Sequence, residues 1–166
     1  MKLSFKTLAL CGAVATLLAA CGGGDAPTTT DLSSAVTVSA ASDTTLNGVY
    51  STTTTGLSDV QKIRRIGATD ACEFTFDALV KTGNSTVSMT GTVDYTADTS
   101  STLLSGLAVG INNVFYSTAD GSGTVVDRAA NQVRFTAKTL NAVAAGTSTL
   151  VVTGSLPMRG NRPSGC

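Results

Sequence analysis

The chain has 166 residues, with 11 basic and 11 acidic side chains, no histidine and no tryptophan. The missing histidine excludes Ser-His-Asp and Cys-His catalytic arrangements, histidine-containing zinc sites and a haem held by an axial histidine. The charge balance excludes the strongly basic field that binds nucleic acid nonspecifically, so no nucleic-acid partner is expected.

In chain order, Lys2 and Lys6 give a positive start and Leu8 to Ala20 carries no charge. That run matches a signal-peptide apolar region of about 7–15 residues. It is too short for the roughly 20 residues that cross a bilayer as a helix. It ends in Leu18-Ala19-Ala20-Cys21. This quartet resembles the lipobox of bacterial lipoproteins. The resemblance implies a diacylglycerol on the Cys21 thiol, cleavage before Cys21 and fatty acylation (palmitate or a similar chain) of the new amino group. A thiol suits that alkylation because it ionises more readily than a hydroxyl. Several acyl chains together give a stable membrane anchor. Residue 22 is Gly and not Asp, which in that family favours sorting to the outer membrane.

Three segments are therefore expected: a leader over 1–20, a Gly/Thr/Ser/Pro linker over 21–42, and one β-domain over 43–166. Loss of Lys2 and Lys6 with the leader leaves nine basic against eleven acidic groups. Cys11 leaves with the leader and Cys21 carries lipid, so Cys72 and Cys166 remain for one disulfide in an oxidising compartment. Two cysteines are too few for an all-cysteine metal site, and neither a metal nor a cofactor is expected.

Within the domain, Leu46 to Tyr50 begins the fold and Ser51 to Gly56 continues it. Residues 58–66 slightly favour a short helix over a strand, with Ser58 as cap, Val60, Ile63 and Ile66 as apolar stripe, and Gly67 as stop. Cys72, Phe74, Phe76 and Ala78 alternate with polar residues and read as the inner face of a strand. Val87, Met89, Gly91, Val93 and Tyr95 continue it as a hairpin beyond the 82–85 turn. Asn112-Asn113 suits a two-residue turn that sets Ile111 against Val114, Gly110 against Phe115 and Val109 against Tyr116. Thr124 to Asp127 pairs with Gln132 to Lys138, with Val133, Phe135 and Ala137 inward and Arg134 and Lys138 outward. Leu150, Val152, Gly154, Leu156 and Met158 form the last inward row, and the tail returns to the Cys72 strand. The fold class is all-β: an antiparallel, mostly hairpin-connected sandwich or small barrel of seven to nine strands.

No catalytic constellation emerges. Glu73 and Asp77, four residues apart on a strand, stand about 13 Å apart, too wide for a glycosidase pair. Lys62, Arg64 and Arg65 form the densest basic cluster and the one candidate interaction patch, facing lipid phosphates or an anionic envelope polymer. Asp120 to Gly123 lacks the repeated ligands of a calcium loop and reads as a turn. Tyr95 and Tyr116 fall on inward faces. The chain reads as a non-catalytic binding or structural module of the envelope, anchored to the membrane and open to a protein or glycan partner. The alternatives are an inhibitor of a hydrolase such as lysozyme, by fold-level analogy alone, and a hydrolase using carboxylates only.

Overall fold

The computed structural model describes residues 33–98, 104–144 and 146–166; the leader, Cys21 and most of the expected linker lie outside them. Eleven strands run in chain order: β1 (Ser34–Ser39), β2 (Gly48–Thr52), β3 (Gly56–Leu57), β4 (Gln61–Ile63), β5 (Ala71–Lys81) and β6 (Asn84–Thr96), then β7 (Leu104–Ile111), β8 (Val114–Thr118), β9 (Thr124–Asp127), β10 (Gln132–Ala142) and β11 (Thr149–Pro157). Eight of them close on themselves in the order β1-β2-β5-β6-β7-β8-β10-β11, and β11 pairs back on β1. All pairings are antiparallel. The β2, β3 and β4 segments follow one another along β5 as one interrupted strand, and β8 and β9 do the same along β10. The architecture is an up-and-down barrel, which removes the open sheet edges that a sandwich would leave.

Inward rows fill the barrel. Val36, Tyr50, Phe74, Phe76, Met89, Val93, Tyr95, Ile111, Tyr116, Phe135, Leu150 and Leu156 are all buried. The Asn112-Asn113 turn holds both residues at positive φ, and the β7–β8 pairs are those expected from it: Ile111 with Val114, Gly110 with Phe115 and Val109 with Tyr116. Gly91 stands inside, opposite Phe76. A Cβ there would lie 2.7 Å from the Phe76 ring, so the missing side chain is the space that ring occupies.

Four sequence expectations are corrected. Ser34–Ser39, placed in the 21–42 linker, is a wall strand paired on both sides, so the folded unit begins before residue 43. Its alternating Val36 and Val38 are buried, and burial of those two side chains outweighs their polar neighbours. The expected helix over 58–66 is absent: Gln61–Ile63 pairs with β5. The supposed apolar stripe divides, because Val60 is buried while Ile63 and Ile66 face solvent. Nine residues with no apolar face to pack make a poor helix, whereas the edge of β5 needs a partner. In β5 the pairing shifts between Phe76 and Leu79. Ala78 takes a φ of 63° and turns outward, and Leu79 takes its place in the core. A second bulge between Phe135 and Lys138 puts Ala137 at a φ of 47° and outside. Lys138, expected outward, is consequently only 2% exposed. Each bulge adds one residue and reverses the alternation beyond it.

Candidate functional site

The antiparallel meander gives the barrel two ends. Residues 40–47, 82–83, 112–113 and 143–148 connect strands at one, here the turn end. Residues 64–70, 128–131 and the segment after β11 lie at the other, here the tail end.

At the turn end, Leu46 is buried beneath a one-turn 3-10 helix, Thr44–Leu46, capped by Asp43. The Tyr50 hydroxyl donates to Leu46 O at 2.8 Å, and the Asn47 side-chain oxygen accepts from Ala41 N at 3.0 Å. The Lys81 ammonium donates to Thr45 O.

At the tail end, Cys72 and Cys166 form a disulfide, 94 residues apart in sequence with Cα atoms 5.7 Å apart. The Tyr95 hydroxyl donates to the main-chain oxygen of Cys166 at 3.0 Å, and Arg128 Nε donates to the same oxygen at 3.1 Å. Arg128 also donates to Thr96 O at 2.8 Å, with its guanidinium 5.3 Å from the centre of the Tyr95 ring. Arg162 donates to Arg128 O at 2.8 Å and to the Asn131 side chain. Burial pushes the Tyr95 phenol above its ordinary value despite the two nearby guanidinium groups.

The candidate patch sits beside this closure. Lys62 is tied down: its ammonium donates to Ser164 O at 3.1 Å and lies 4.0 Å from Asp70. Arg64 and Arg65 are exposed. The Arg65 backbone N–H donates to the Asp70 carboxylate at 3.2 Å, closing the loop. Ile66 at its tip is fully exposed.

The carboxylates that meet are not Glu73 and Asp77 but Glu73 and Asp94, directly opposite on the outer face of β5 and β6. Desolvation, and then the Asp94 charge and hydrogen bond, raise the Glu73 pKa above its ordinary value of 4.5. The Asp120 loop is a turn with a task, since the buried Lys138 ammonium reaches Asp120 O and, at 2.7 Å, Ser122 O. Desolvation lowers the Lys138 pKa, and Asp120 opposes that shift. Neither pairing was drawn from the sequence, because each depends on a bulge. Tyr95 and Tyr116 are inward as expected, and so is Tyr50. Among the described residues no group of three or more His, Cys, Asp or Glu side chains is placed to hold a metal ion. No helix among them is long and apolar enough to cross a membrane.

Two shallow concavities lie on the outer wall. One is lined by Thr86, Ser88, Thr90, Gly110, Asn112 and Phe115, the other by Thr92, Asp94, Gly106, Ala108 and Ser117. Their floor is the run of small residues on the outer face of β7. Phe115, 61% exposed, lies across Gly110, where a Cβ would be 3.1 Å from its ring. The chain matches no protein-family model, no curated protein and no solved structure.

Proposed function

We propose that this chain is a lipid-anchored protein of the bacterial cell envelope, held at Cys21, whose barrel is a non-catalytic binding or structural module. One observation carries the binding part. The inward rows are filled by the protein's own side chains, so recognition falls to the outside of the barrel, which is rich in hydroxyls and interrupted by shallow concavities. Small eight-stranded barrels divide into those filled by side chains and those holding one ligand inside, and this interior is of the first kind. The Cys72–Cys166 bond supports an oxidising compartment, as does the Leu18-Ala19-Ala20-Cys21 quartet. A partner in the envelope, protein or glycan, fits this surface better than a small molecule.

The test is paired. Cys21→Ser should abolish palmitate labelling and release the protein from the membrane fraction, and unchanged sedimentation would sink the anchor. Crosslinking in intact cells should then recover a defined envelope partner. Inhibition of lysozyme by the purified protein would replace a scaffold reading with an inhibitory one.

A further inference from the structure

We propose that the β4–β5 loop, residues 64–70, seats on the anionic phospholipid headgroups of the membrane carrying the anchor, with Ile66 entering the interface beside Arg64 and Arg65. This rests on the lipoprotein reading above. Ile66 is fully exposed at the loop tip and Ile63 is 37% exposed. A side chain of that kind gains nothing from water, and here it follows two exposed guanidinium groups with no carboxylate partner among the described residues. The headgroup zone satisfies both kinds of group at once. Phosphates attract the arginines, and the acyl boundary a few ångströms deeper takes the isoleucine.

The loop is braced for such a contact. Lys62 is held by Ser164 and Asp70, Arg65 N by Asp70, and the tail beneath is stapled to β5 through Cys166. Its position suits the anchor. Strand β1 runs from the tail end toward the turn end, so Ser34, its first residue, lies at the end that carries this loop. Thirteen peptide steps separate Cys21 from Ser34 and cannot span more than about 45 Å. That limit keeps the loop at high effective concentration over the bilayer. The four turn-end connections, by contrast, contain no lysine or arginine. Docking would turn that end, and much of the Phe115 concavity, toward partners.

The chain lacks tryptophan, so Ile66→Trp introduces a single indole at a position that leaves the core intact. The mature protein, as cells produce it, is mixed with vesicles of phosphatidylglycerol and phosphatidylethanolamine, or of phosphatidylcholine alone. On anionic vesicles the emission should move to the blue and iodide quenching should fall severalfold. Arg64→Gln with Arg65→Gln, or high salt, should remove most of that change. An indole that stays as quenchable on anionic as on neutral vesicles overturns the proposal, and so does an equal shift with soluble polyphosphate. Flotation with phosphatidylcholine vesicles scores the anchor separately. A chain that floats without an indole response loses only the docking claim. A chain that does not float loses the anchor, and its response to added anionic vesicles still decides docking.

Discussion

The two ends of the barrel are closed by different means. At the turn end two of the ties are local: Leu46 is pinned by Tyr50, four residues on, and Asn112-Asn113 turns β7 into β8. The longer-range ones, Lys81 to Thr45 and Ser42 with Thr149, are single non-covalent contacts. At the tail end it is remote in sequence, joining Cys72, Tyr95, Arg128 and Cys166. Local closure costs little chain entropy and follows once the hairpins form. Remote closure carries the entropy of a long loop, which a covalent link offsets by restricting the unfolded chain. The tail end should therefore behave as one coupled unit and the turn end as a set of separate small contributions.

The sharpest way to break this contrast is to remove the staple. Cys72→Ala with Cys166→Ala should cost about 2–5 kcal/mol of unfolding free energy in denaturant titrations. Next, Arg128→Ala should cost about 1.5–3 kcal/mol, since its charged hydrogen bonds reach both Cys166 and Thr96. On the Cys72→Ala/Cys166→Ala background that cost should shrink clearly, because a loose tail no longer presents the main-chain oxygen of residue 166. A double-mutant cycle measures the coupling, and full additivity would refute the unit. A smaller effect belongs to the turn end. Tyr50→Phe loses the bond to Leu46 O, about 0.5–1.5 kcal/mol, and this loss should simply add to that of the staple because the sites share no partner.

The contrast also marks what was legible in the sequence. Alternation named the inner rows, and the Asn112-Asn113 turn set a register that holds residue for residue. The disulfide followed once the lipobox resemblance set Cys11 and Cys21 aside and left two thiols. Apart from the β1 and 58–66 assignments, what failed lies beyond a bulge. Continuing the Lys81–Asn84 pair without interruption sets Glu73 against Thr92, whereas two shifts bring it to Asp94. The 135–138 shift likewise moves Lys138 from outside to inside. Both bulged alanines adopt positive φ, a conformation that nothing about alanine announces. The candidate patch was legible as charge. Its apolar tip was not, because Ile66 counted toward a helix stripe that does not exist.

Acid separates the ends in opposite directions. At the turn end, the Thr45 side-chain hydroxyl and then its backbone N–H hold the Asp43 pKa below its ordinary 3.8. A lowered folded-state value contributes stability that is complete above pH 3.8 and is lost as pH falls through it. On the tail-end half of the wall, desolvation and Asp94 raise Glu73 above 4.5. Its contribution is complete below pH 4.5 and is lost as pH rises through the raised value. Glu73→Gln should therefore match the parent near pH 4 and exceed it at pH 7 by about 0.2–1 kcal/mol, the scale of one cross-strand pair. Asp43→Asn keeps the cap acceptor but not the charge, so it should flatten the parent's loss below pH 3.8 and leave pH 7 nearly unchanged. If Glu73→Gln instead lowers stability at pH 7, the charged Glu73–Asp94 pair is held by a favourable contact, and the opposition between the ends disappears.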